Sequence, residues 1–390
     1  MNVLFDLIPT QPFGTSAYHG GAEYAKALFE QVLKGKRHER VSALFDWNRP
    51  IDPAILDLAE SFCTAVHRIH TIDEVTSLIK DDNASIFYSA LPMKYRAMRL
   101  EEVSFIFTIH DLRPIELPTD ETEKHYGKGL RYRLACLLAR SRRERLSLLN
   151  KERIRSLFGV SKRYRTIAVS NHTLFSLLTE FPELDPGSIE MLYPPPIPQS
   201  ADDDSILAEL SLRDDEYFLI LGADRWKKNA YRATLAFHEI YDDFPGFNKK
   251  FLVLGANADL PFVSRSNASG RILYTGYVSR SRLESLYKHC FCLVFPSLNE
   301  GFGYPPLECM KYGKPVLASG TGAIPEILGE AAAYFGPRSI REMKNRVIQV
   351  FHDADFRRGL GASGKRRSDE MSLKQRKASE RLGDIVLGRA

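Results

Sequence analysis

Glu300 and Glu308 stand eight residues apart in "NEGFGYPPLECMKYGKPVLAS" (299–319), with Gly301, Phe302 and Gly303 between them. Ionised carboxylates accept hydrogen bonds from hydroxyl groups and repel phosphate. Glycines let a backbone come close to a ligand. Pro305 and Pro306 suit the first positions of a helix, and Gly313 suits its end. The stretch therefore predicts a loop running into a helix N-terminus, where free N–H groups and the helix dipole attract phosphate. Two acids flanking such a loop suit a ligand with hydroxyls on both sides of a diphosphate. The plainer alternative makes Glu300 a loop acid and Glu308 a surface residue favoured by the dipole.

A second cluster, "GADRWKKN" (222–229), follows the apolar run "YFLIL" and supplies Arg225, Lys227 and Lys228. Cations at a strand end can neutralise a diphosphate as its charge grows. Surface charge, with Asn229 capping a helix, competes for Lys227 more than for Arg225 and Lys228. "FIFTI" ends at His110, placed to hydrogen-bond a hydroxyl or to stabilise positive charge, although a lone histidine is also a common packing residue. Gly20 and Gly21 enter an amphipathic helix and offer a backbone nest for an anion, without the GxGxxG spacing of a nicotinamide fold. Ser170-Asn171 serves equally well as a helix N-cap.

These residues need a scaffold that presents strand ends. Continuous apolar runs recur at 3–8, 41–45, 85–89, 104–109 and 166–169, then at 217–221, 251–254, 271–276, 291–295 and 315–319. Helical lengths separate them, as in parallel sheets covered on both faces. "YPPPIPQSADDDS" (193–205) reads as a linker whose acids are solvated. The expected class is α/β, with two Rossmann-like, doubly wound parallel-sheet domains facing across a cleft. The expected boundaries are 1–195, a linker over 196–215, a second domain over 216–365, and a C-terminal helix over 366–390 packing back toward the first domain.

Composition narrows the remainder. The chain has 390 residues, 44% of them apolar and 26% charged, which fits globular domains rather than disorder or a coiled coil. "MNVLFDLIPT" lacks the basic start and long apolar run of a signal peptide and reads as a first strand. Five cysteines without a CxxC pair imply reduced thiols in a cytoplasmic protein. No cysteine or histidine cluster or DxD pair after a strand suggests a metal, so no metal or other cofactor is expected. The net charge is +5, with arginines crowded into 128–165. That segment is either a solvated helical face or an attachment surface for anionic lipid at the inner face of a membrane. No nucleic-acid-binding motif accompanies it.

Residues 295–335 resemble the signature block of the retaining, family 4 glycosyltransferases of the GT-B fold, with the E-x7-E pair present as Glu300 and Glu308. The resemblance implies a nucleotide diphosphate sugar as donor, with Glu300 on the transferred sugar and Glu308 on the ribose. Gly301, Phe302 and Gly303 would contact phosphate and sugar, and Tyr277-Val278 the base. Lys228 matches the family's lysine, whereas Arg225 stands three residues before it instead of five. Gly21 and His110 match the acceptor-side loop and active-site histidine. The implied reaction moves a hexose, with retention and without metal, to a glycan or lipid-linked saccharide of bacterial surface polysaccharide or lipopolysaccharide. A catalytically silent nucleotide-sugar-binding protein and a nucleotide-sugar epimerase are the alternatives.

Overall fold

The computed structural model describes residues 1–12, 20–256, 259–263 and 270–389. The chain divides into two compact units. The first comprises Met1–Leu112, Leu148–Pro198 and Ser372–Ala390; the second comprises Arg113–Ser147 and Gln199–Met371.

The first unit is built on seven parallel strands: β1 (Asn2–Asp6), β2 (Arg40–Asp46), β3 (Ala65–Ile69), β4 (Ile86–Ser89), β5 (Ser104–Ile109), β6 (Tyr164–Ala168) and β7 (Ile189–Met191). Their order is β3-β2-β1-β4-β5-β6-β7, so the winding reverses between β1 and β4. The central strands β1, β4 and β5 are buried along most of their length, as in parallel sheets covered on both faces. The sequence runs did not reveal β3 and β7. Both are edge strands, β7 is only three residues long, and β3 carries His67 and Arg68, so neither makes a continuous apolar run.

The second unit holds β8 (Tyr217–Ile220), β9 (Lys250–Leu254), β10 (Ile272–Thr275), β11 (Cys292–Phe295), β12 (Val316–Ser319) and β13 (Ala333–Phe335). All pairings are parallel, in the order β10-β9-β8-β11-β12-β13, and the reversal falls between β8 and β11. Under the sheet, Phe251 of β9 stacks on Phe237 of helix Ala230–Asp243 at 3.9 Å between ring centroids. Burying each such ring contributes about 1.5–3 kcal/mol.

Three boundaries differ from the sequence reading. Residues 113–147 belong to the second unit although chain order puts them in the first. The reason includes an ion-pair network in which buried Arg232 reaches buried Asp120 and exposed Glu121 at 2.9 Å each. Tyr126 accepts from the Tyr231 N–H beside it, at 3.0 Å. The acids expected to be solvated in a linker are paired with helix Arg280–His289: Asp202 with Lys288, Asp203 with Arg282 and Asp204 with Ser285. They are largely exposed, so each pair stabilises little. The C-terminal helix begins well before 366, at Ala354, and runs to Val386. Its last part clusters within the first unit, where Gln375 donates to the Pro194 carbonyl at 2.9 Å.

Candidate functional site

In an open parallel sheet, ligands bind beyond the carboxyl ends of the strands where the winding reverses. In the second unit that place lies between β8 and β11. The loop after β8 carries Arg225 and Lys228, and the loop after β11 carries Glu300 to Gly303. Two apolar runs that the sequence separates by some 70 residues thus become neighbours with their loops side by side.

The two loops are stitched together. Leu298 N–H donates to the Lys227 carbonyl at 2.9 Å, and Asn229 Nδ2 donates to the Pro296 carbonyl at 3.0 Å. Asn229 is buried in the left-handed region, with φ 61°, and makes no side-chain cap to the helix that follows. It ties loops instead of capping. Across this seam Lys228 Nζ meets Glu300 Oε1 at 2.5 Å, and Arg113 Nη1 lies 3.8 Å from Glu300 Oε2.

Glu300 is therefore not an ordinary loop acid, since it is only 7% exposed. Burial alone would raise its pKa; Lys228 first, then Arg113, outweigh burial and hold it below the usual 4.5. Burial lowers the Lys228 pKa, Glu300 opposes that, and Arg225 and Arg113 push it down further. Two cations, Lys228 and Arg113, flank the Glu300 carboxylate, at a strand-end position where cationic side chains can also meet an anionic ligand.

The Glu300 backbone is fixed from a third side. Ala323 N–H donates to its carbonyl at 3.0 Å. Gly322 has φ +58°, and a Cβ there would stand 2.9 Å from that same carbonyl oxygen. Gly301 and Phe302 are buried beside it, and Phe302 meets the Tyr304 ring edge-on. Gly303, with φ +94°, begins the turn into helix Tyr304–Met310.

Glu308 sits inside that helix and is buried, contrary to the surface alternative. Its Oε1 accepts from Arg280 Nη1 at 2.7 Å and its Oε2 from Tyr287 OH at 2.9 Å. Arg280 also pairs with Glu284, which accepts from Tyr312 at 2.7 Å. The two glutamates thus differ: Glu300 faces cations from loops, while Glu308 is clamped by helix Arg280–His289. Tyr277 and Val278 precede that helix. The Tyr277 hydroxyl donates to Asp224 at 2.7 Å, and burial pushes its pKa up to about 12. Arg225 is exposed and lies 3.8 Å from the same Asp224.

Gly20, Gly21 and His110 belong to the first unit. Both glycines open helix Gly20–Gly35; the loop before them, 13–19, lies outside the described residues. His110 Nε2 lies 3.0 Å from the Ala90 carbonyl, so that nitrogen carries the proton. The ring of Tyr24, from the same helix, packs edge-on to His110 at 4.8 Å.

Arg113, Arg280, Tyr287 and Gly322 escaped the sequence reading, in which Asn229 is only a helix cap. Arg280 had a usable signal, the i,i+4 spacing to Glu284 on a helix. Arg113 had none, because its partner lies nearly half the chain away. Among the described residues no group of three or more His, Cys, Asp or Glu side chains is arranged to hold a metal ion.

Residues 202–367 match the family of glycosyl transferases group 1. This region is similar to a group 1 glycosyl transferase domain. The matched region contains the Lys228–Glu300 seam and the Glu308 clamp. WbdA of Escherichia coli, a serotype-specific mannosyltransferase, is 35% identical over 102 residues, covering 26% of this chain and 12% of its own length. RfbU of Salmonella typhimurium, an O-antigen chain mannosyltransferase, is 22% identical over 249 residues, covering 62% of this chain and 60% of its own. Among solved structures, WaaG, a glycosyltransferase involved in lipopolysaccharide biosynthesis, superimposes with a TM-score of 0.67 at 16% identity, covering 98% of this chain and 99% of WaaG. Anabaena HepE, solved with UDP and glucose, gives 0.69 at 14% identity over 99% of both chains. The fold is GT-B, and the region matching the group 1 model lies in the second sheet unit.

Proposed function

We propose that the chain is a retaining glycosyltransferase that moves a hexose from a nucleotide diphosphate sugar to a hydroxyl of a glycan or lipid-linked saccharide, without a metal. The observation that carries this reading is the Lys228–Glu300 contact at the reversal point, with Arg113 3.8 Å from the same carboxylate. A diphosphate entering there would take Lys228 and Arg225 as counter-charges and free Glu300 to accept from sugar hydroxyls. Glu308, held by Arg280 and Tyr287, keeps carboxylate lone pairs for ribose hydroxyls. Mannose is the favoured hexose, because WbdA and RfbU are both named mannosyltransferases. Surface polysaccharide of the O-antigen kind is the favoured product, assembled on the cytoplasmic side.

In the proposed step the bond from the anomeric carbon to the leaving phosphate oxygen breaks, and the sugar passes through an oxocarbenium-like state. Lys228 and Arg225 stabilise the departing diphosphate. The departing oxygen takes the proton of the acceptor hydroxyl as that hydroxyl attacks the same face. Configuration is retained and no carboxylate nucleophile is consumed. His110, with its proton on Nε2 directed to the Ala90 carbonyl, is oriented at the end of β5 for an acceptor or sugar contact.

The test is incubation of the full chain with GDP-mannose or UDP-glucose, with and without a saccharide acceptor and in the presence of EDTA. The expected result is nucleoside diphosphate release that depends on acceptor, with an α-linked product by NMR. A β-linked product would overturn retention, and abolition by EDTA would overturn metal independence. Conversion of the donor sugar without acceptor would identify an epimerase.

A further inference from the structure

Helix Leu130–Ser141 buries none of its residues. Leu130, Leu134, Leu137 and Leu138 are between 48% and 73% exposed. At about 100° per residue, these leucines form one stripe. Arg131 flanks the stripe on one side, and Arg133 and Arg140 on the other. The opposite face, Tyr132, Cys136 and Ala139, is partly covered, and Tyr132 donates to the Glu123 carbonyl at 3.1 Å. The helix is thus seated by its small inner face and presents leucines outward. A single exposed leucine is ordinary, but a continuous stripe of four marks a surface meant to be covered.

The charges say what covers it. Between Lys128 and Leu149 the sequence has six arginines and one acid, Glu144. Arg131, Arg133, Arg142, Arg143 and Arg145 have no ion-pair partner among the described residues; Arg140 has only a distant one, Glu121 at 3.8 Å. A second copy of the chain is a poor occupant, since a two-fold interface would set this cationic face against itself. Single-stranded nucleic acid would want aromatic platforms, and the outer face has none. Leucines bordered by arginines fit the boundary between headgroups and acyl chains, with the arginine stems lying along apolar surface and their guanidinium groups on phosphate.

We infer that helix Leu130–Ser141, with the arginines that follow to Arg145, is a docking surface for an anionic phospholipid bilayer. The surface is narrower than the whole basic segment 128–165. Beyond Asn150 the charges are already paired, Lys151 with Glu180 and Arg155 with Glu183, while Ile154 and Leu157 are buried. This docking is independent of the transfer reaction proposed above.

The test is sedimentation of the full chain with vesicles of phosphatidylcholine alone or with about one-third phosphatidylglycerol. Binding is expected only to the anionic vesicles. The triple variant Arg131→Gln/Arg133→Gln/Arg142→Gln should bind them on the order of a hundredfold more weakly, at about fivefold per arginine. The variant Leu134→Ser/Leu137→Ser/Leu138→Ser should lose whatever binding survives high salt. Because all these side chains are exposed, an unchanged melting temperature serves as the fold control. Equal binding to both vesicle types, or full binding by both variants, would overturn the inference. So would a wild-type dimer in sedimentation velocity that the serine variant dissociates, which would assign the stripe to a second copy.

Discussion

Lys228 Nζ lies 2.5 Å from Glu300 Oε1, so the cation assigned to the leaving group and the acid assigned to the sugar neutralise each other when no ligand is present. In the proposed reaction a donor diphosphate would compete with Glu300 for Lys228, and the donor sugar with Lys228 for Glu300. Replacing Lys228 with alanine should therefore reduce turnover by about 3–4 kcal/mol, several hundredfold. The far-ultraviolet circular dichroism should be unchanged. Initial rates at saturating donor measure it, and wild-type turnover would remove Lys228 from the mechanism.

Glu300 also makes a pH signature. Its folded pKa is depressed, so in acid the unfolded chain binds the proton more readily, and stability falls as pH drops below about 4.5 and through the folded value. Above that range its contribution is fully present. Glu300→Gln should flatten this part of the curve of melting temperature against pH. An unchanged acid limb in the variant would show that other carboxylates set it.

The Glu308 clamp predicts a separation of binding from chemistry. Tyr287→Phe removes one donor from a buried carboxylate without changing the ring, a loss of roughly 1–3 kcal/mol. Part of that should appear as about tenfold weaker binding of the nucleoside diphosphate by calorimetry, with kcat nearly unchanged. A fall in kcat at constant affinity would mean Glu308 acts on the sugar instead.

Gly322→Ala should act through the backbone. A left-handed conformation costs a non-glycine residue about 1–2 kcal/mol. The added Cβ would also press on the Glu300 carbonyl oxygen, 2.9 Å away, which has no side-chain freedom to yield. Lower melting temperature together with lower kcat is expected. A stable variant with normal activity would show that Glu300 does not depend on this contact.

Arg232→Ala should be the most damaging substitution away from the site. It removes the 2.9 Å ion pair to buried Asp120, which keeps Arg338 at 3.3 Å and the Thr122 N–H and hydroxyl, a loss of about 3–5 kcal/mol. Chemical denaturation should show it, together with faster proteolysis within 113–147.

Much of this architecture can be read from residue order, because burial on both faces forces continuous apolar runs at β1, β2, β8, β9 and β11. The Glu300 and Glu308 positions are equally legible, since a strand, a glycine loop and a helix start follow one another locally. What was hidden depends on tertiary neighbours. Arg113 finds Glu300 only after the chain folds, and Arg232 captures residues 113–147 by charges that look like surface in sequence. Edge strands β3 and β13 were missed because short strands with a single neighbour need little apolar character.

The seam between Leu298 N–H and the Lys227 carbonyl is a main-chain bond, made by atoms that every amino acid other than proline at 298 supplies. It works as a ruler whose length does not depend on neighbouring side chains. Substitutions around it can therefore change the side chains that the two loops present, while the spacing between the loops is inherited unchanged.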